Sequence, residues 1–176
     1  MKYTQVSSFK LRFTMMTDWI RQAFSDALYG THAHYDVLKA LGGVSAEDAK
    51  KQPIKNDRSI WDHLYHIVFW HDITLQVIQE KKIDWNAIKG KDWLPDNAKL
   101  TEKAWKELVE SFENHLMKLK EFAETEDLTR LLEGFGGTAL GRGILIEFQH
   151  NSYHIGQIVI LRKLLGIWPP PDEKEK

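Results

Sequence analysis

His150 and His154 stand four residues apart in the run Glu147-Phe148-Gln149-His150-Asn151-Ser152-Tyr153-His154-Ile155-Gly156-Gln157. Successive residues of a helix turn by about 100°, so two imidazoles at this spacing share one stripe. That geometry can bind one divalent metal ion through ring nitrogens. The same pair can also be two core histidines bonded to other side chains. The run is not the metalloprotease signature His-Glu-x-x-His. Asn151 stands at the glutamate position, so no general base is built into it.

The element that must position the pair is a helix over about residues 142–167, with no proline until Pro169. Glu147, Gln157 and Leu161 continue the histidine stripe in steps of three and four, and Ile146, Ile158, Leu164 and Leu165 flank it. Both imidazoles therefore point inward, where buried polar groups need partners.

Three further helices are expected. The first covers about residues 17–41, with Ile20, Phe24, Ala27, Leu28, Thr31, Tyr35 and Leu38 inward and Gly42-Gly43 ending it. The second covers about 59–82 and opens on Ser59 with Asp62 three residues on, a variant of the capping box. Its stripe of Asp62, His66, Trp70, Ile73 and Val77 places His66 inward. His71 falls about 140° away, on a flank or the surface, and His63 is ambiguous at about 60°. The third covers about 101–124, capped by Thr101, with Trp105, Leu108, Phe112, Leu116 and Leu119 inward.

The connection from Ile83 to Leu100 carries Trp85, Trp93 and Pro95 and is longer than usual, fitting a crossover or a lid. Ser45 and Glu47 suit a short turn before Pro53, and Ser8 to Phe13 suits a short strand or a lead-in. The glycines at 134, 136, 137 and 141 read as turns around a small hairpin, since no Gly-Lys-Ser/Thr ending follows them. Pro169-Pro170-Pro171 and residues 172–176 read as a solvated tail. The fold class is all-α: one four-helix bundle domain over residues 1–176, with a long connection between helices 2 and 3.

Composition narrows the chemistry. The 176 residues suffice for one sizeable core, and a net charge of −1 points to neither nucleic acid nor an anionic membrane. The absence of cysteine removes disulfides, cysteine nucleophiles and thiolate ligands, so a metal must use nitrogen and oxygen donors. With neither a signal-like core nor a membrane-length apolar run, the expected setting is the cytoplasm.

His66, His150 and His154 then supply three inward imidazoles from two helices, a set that suits Zn²⁺, Ni²⁺ or Fe²⁺ with a position left open. Glu147 and Gln157, one turn either side of the pair, are placed to bond the outer ring nitrogens. His34, Tyr65 and Trp70 are candidates to line a pocket. Glu147-x-x-His150 is also half of a di-iron carboxylate motif, which needs a second Glu-x-x-His. Three residues before the other histidines stand Tyr29, Thr31, Ile60, His63, Val68, Phe112 and Asn151, none of them acidic.

Two segments carry a family resemblance. Ser59-Ile60-Trp61-Asp62-His63-Leu64-Tyr65-His66-Ile67 is one. His150-Asn151-Ser152-Tyr153-His154-Ile155-Gly156-Gln157-Ile158, followed by Leu161-Arg162-Lys163-Leu164-Leu165-Gly166-Ile167-Trp168-Pro169, is the other. They resemble the DinB-like (DinB/YfiT) superfamily, the Leu-Gly-x-Trp-Pro ending resembling one branch of it. The resemblance implies a bundle of up-down-down-up topology, a divalent metal on His66, His150 and His154, and homodimers. It implies a metal-dependent enzyme acting on a small molecule, either a transferase using a low-molecular-weight thiol or a hydrolase. The alternative is a non-catalytic, stress-related bundle that binds a metal or ligand. Phe148, Ile155 and Val159 form a second oily face on the last helix, suited to a dimer interface or to cover within the monomer.

Overall fold

Three long helices carry the core, and their ends are set by side-chain caps. The computed structural model describes residues 18–171. Helix α1 occupies residues 18–29 of that span and is followed by the short α2 (Ala46–Ala49). Next come α3 (Ile60–Ile78), a single turn α4 (Trp85–Ile88) and α5 (Glu102–Thr125). A two-stranded antiparallel hairpin, β1 (Leu131–Leu132) and β2 (Thr138–Ala139), precedes α6 (Leu140–Leu164). The expected all-helical architecture holds. Among the described residues no helix is long and apolar enough to cross a membrane. The proposed strand at Ser8 to Phe13 and the tail at 172–176 lie outside the described residues.

The capping box at the head of α3 is complete. Ser59 Oγ accepts from the Asp62 amide, and the Asp62 carboxylate accepts from the Ser59 amide. Thr101 caps α5 through the Ala104 amide. Ser45 caps α2 through the Asp48 amide, turning the expected short turn into a helical one.

Helix α3 packs against both α5 and α6. Its partners include Phe112, Leu116 and Leu119 of α5 and Ile144, Ile155, Ile158 and Leu161 of α6, all buried in one cluster. Helix α1 joins through a Phe24–Phe148 ring contact at 5.3 Å and through Arg21, whose guanidinium donates to the carbonyls of Ala123 and Glu126.

Two expectations need correction, and one alternative is decided. The first helix does not reach Leu41. Gly30 at φ +77° breaks it, and His32 follows at φ +67°. A Cβ on Gly30 would sit 2.2 Å from the His34 ring, so only glycine fits the turn. Tyr35, Val37 and Leu38 keep an apolar spacing but pack from a loop. Second, the proline run is not a solvated tail. Pro170 is buried, and Pro171 lies against Gly43, where a Cβ would meet its ring at 2.8 Å. Of the two readings of the second oily face, cover within the monomer is the one that fits: Phe148 and Ile155 are buried and Val159 is half-buried. The exposed apolar residues of α6 are Leu145, Ile146, Tyr153, Ile160 and Leu164.

Arg162 fastens the C-terminal end of α6. Its side chain is buried, and its guanidinium donates to the carbonyls of Ala40, Gly42 and Ile167. It also lies 5.3 Å over the Trp168 ring. Arg162→Met keeps the stem but leaves three carbonyls without a donor. It is expected to lower unfolding free energy by roughly 3 kcal/mol in urea titration, with helix content at 25 °C unchanged.

Candidate metal centre

Helices α3 and α6 bring His66, His150 and His154 together, as their spacing predicts. One ring nitrogen from each lies within 4.8 Å of the other two. Ring centroids are 5.0 Å apart for His66–His150, 4.8 Å for His66–His154 and 4.5 Å for His150–His154. Among the described residues this is the single group of three or more metal-type ligands so placed.

Two of the three rings are held from behind. His66 Nδ1 donates to the Asp92 carbonyl at 2.7 Å, which leaves Nε2 with its lone pair free. His154 Nδ1 lies 3.0 Å from His63 Nδ1, and two neutral imidazoles can form that bond with one as donor. If His154 is the donor, its Nε2 is likewise free to ligate.

Burial keeps the rings neutral. It lowers the pKa of His150 to about 4 and that of His154 to about 3, with neighbouring histidines adding to both. His63 and His66 are also shifted down, chiefly by burial. Neutral imidazoles are the form that binds a metal, so the donor set fits a divalent transition ion.

The long connection closes over this cluster. Trp93 stacks on His66 with centroids 4.0 Å apart and planes 14° apart, and Arg58 lies 4.5 Å over Trp93. Within the connection over residues 83–100, Asp92 supplies a carbonyl and Trp93 a face to one histidine.

A cavity of about 460 Å³ opens beside His150, lined by Trp70, Thr74, Phe135, Ile146 and Glu147 among others. Of the three pocket candidates, Trp70 lines this cavity. Tyr65 is half-buried against Phe69 and is not among the lining residues. His34 is exposed, bonds the Tyr35 carbonyl and Ser152 Oγ, and does not line the cavity. The helix expected to aim it inward ends at Gly30.

Glu147 turns to Thr74, whose hydroxyl donates to its Oε1, while His66 bonds Asp92, His154 bonds His63, and the buried His150 Nδ1 has no hydrogen-bond partner among the described residues. Gln157 is half-buried one turn past His154.

His71 is a correction. It is fully buried, stacked on Phe112 at 5.7 Å, and its Nε2 donates to Asn151 Oδ1 at 2.8 Å. A readable signal existed. Helix α3 is apolar nearly all round, from Ile60 and Trp61 through Leu64, Ile67, Val68, Ile73 and Leu75 to Ile78, and such a helix has little solvent face. His63, ambiguous on the wheel, turns out to back His154, and Asn151 and Thr74 carry no site signal in the sequence. Their contacts cross between helices, which one wheel does not show.

The chain matches the DinB superfamily over residues 30–158, with the histidine trio inside the match. The chain belongs to the DinB superfamily. A crystal structure of a conserved protein from Enterococcus faecalis is similar at 16% identity, covering 93% of this chain and 97% of that one, with a TM-score of 0.49. No curated protein matches the chain. The DinB match agrees with the resemblance carried by the two histidine segments.

Burial raises the Glu147 pKa to about 7, with the Thr74 bond opposing the shift. Between about pH 4.5 and 7 the folded chain then keeps a proton that the unfolded chain has released, so this group makes the fold less stable as pH rises. In metal-free protein, Glu147→Gln is expected to gain stability relative to the parent between pH 4.5 and 7, on the order of 3 kcal/mol, and nothing further above that range. Denaturant titrations at pH 4.5, 6 and 8 would show a flat difference if the carboxyl titrates normally.

Proposed function

We propose that this DinB superfamily chain is a cytoplasmic, divalent-metal-dependent enzyme that acts on a small molecule by thiol transfer or hydrolysis. The observation that carries the reading is the convergence of His66, His150 and His154 beside a cavity of small-molecule size. A bound Zn²⁺, Ni²⁺ or Fe²⁺ would supply a Lewis acid that lowers the pKa of a thiol or water.

The chain's own residues do the rest. Asp92 and His63 fix the orientation of His66 and His154. Trp93 covers His66 and shields that side from water. Trp70, Phe135 and Ile146 give the cavity an apolar wall for the substrate body. With no cysteine in the chain, a thiol nucleophile comes from a low-molecular-weight thiol, and in the hydrolytic reading the nucleophile is water. A homodimer belongs to the same reading, with Tyr153, Ile160 and Leu164 on the exposed side of α6 as its interface.

Chelator-stripped protein titrated with zinc, nickel or ferrous ion should take up about one equivalent per chain, and His150→Ala should abolish it. His63→Phe, which removes a support and no ligand, should weaken affinity about 10- to 100-fold in chelator competition. Loaded protein is then offered bacillithiol, mycothiol or glutathione with a general electrophile, and separately esters and amides. Turnover that His66→Ala removes supports the enzyme. Metal uptake with no turnover in either series favours the non-catalytic bundle.

A further inference from the structure

The cavity beside His150 has a chemical asymmetry. Its walls are mostly apolar, and no lysine or arginine is among its lining residues. Two of its polar groups are already engaged: Thr74 donates to Glu147 Oε1, and Thr138 donates to the Phe135 carbonyl. What remains, apart from His150 and the Trp70 indole N–H, is the carboxyl of Glu147, which is 5% exposed. Its Oε2 has no hydrogen-bond partner among the described residues.

The nearest internal candidate cannot neutralise it. His71 Nε2 is 3.8 Å from Oε2, but its hydrogen goes to Asn151 Oδ1. Burial lowers the His71 pKa to about 3, so the ring carries no positive charge near neutrality. A carboxylate on an apolar wall, lacking a cation of its own, favours a ligand that brings one.

We propose that Glu147 is a substrate-binding residue that selects an amine: the cavity takes a substrate with an apolar or aromatic body and a primary ammonium group, and the ammonium bonds the Glu147 carboxylate. The body packs on Trp70, Phe135 and Ile146, which leaves the rest of the substrate facing His150. The proposal rests on the reading of this cavity as the substrate site. It adds what that reading lacks, the charge and class of the substrate.

The test uses the full chain, stripped of metal so that amine coordination to an ion cannot contribute, at pH 8. The probes are 2-phenylethylamine, 3-phenylpropionate and neutral 3-phenyl-1-propanol, three similar bodies with different charge. Titration calorimetry should show the amine binding roughly tenfold more tightly than the carboxylate. Glu147→Gln should erase that preference and leave the alcohol unchanged. Ile146→Trp, at a half-exposed position on the cavity wall, should block all three probes and keeps the test usable if Glu147→Gln does not fold. Equal binding of amine and carboxylate overturns the proposal. So does a preference that survives Glu147→Gln, amine binding that survives Ile146→Trp, or no saturable amine binding. Failure of the metal reading would appear separately, as absent metal uptake, and leaves these measurements valid.

Discussion

The structure depends on keeping imidazoles uncharged inside a helical core. Desolvation makes the protonated form costly, and the shifts of His150 and His154 to about 4 and about 3 express it. A neutral imidazole still has one donor and one acceptor to satisfy, so each buried ring asks for a partner. His66 finds the Asp92 carbonyl, His154 finds His63, and His71 finds Asn151. Each of these bonds crosses from one element to another. The polar chemistry of the site and the packing of α3 against α6 are therefore one constraint.

This explains why the long connection matters. A free segment of that length would cost conformational entropy to order. Here α4 and the residues after it are tied back by the Asp92 carbonyl and by Trp93 lying flat on His66, with Arg58 on the far face. The cover is attached to the very ring it shields. The hairpin plays a comparable part on the cavity side, where Phe135 and Thr138 reach the wall. Tight turns at Gly136 and Gly137, both with positive φ, let so short a hairpin close.

Much of the fold was legible because caps and periodicity are local. Ser59 with Asp62 and Thr101 marked the starts of α3 and α5 within a residue, and the inward stripe of α5 held at Trp105, Phe112, Leu116 and Leu119. The end of the first helix is not legible in the sequence, because Tyr35 and Leu38 continue a helical spacing that the backbone abandons at Gly30. The docking of the proline run is not legible either, because its partner, Gly42-Gly43, is far away in sequence. The burial of His71 escapes a single wheel, which has one inside, whereas α3 is covered by α5 on one side and α6 on another.

By itself the sequence determined which residues could ligate. The i, i+4 pair His150 and His154, His66 on its own stripe and the lack of cysteine are properties of the chain, and helical geometry carries them to one face each. Only tertiary structure decided what each side chain meets. That His63 rather than Glu147 backs His154, that Trp93 covers His66, and that Glu147 lies on a cavity wall beside Thr74 all follow from how separate helices and loops pack. Periodicity fixes a direction around one axis. A contact needs two axes, and their relative placement is set by the whole core.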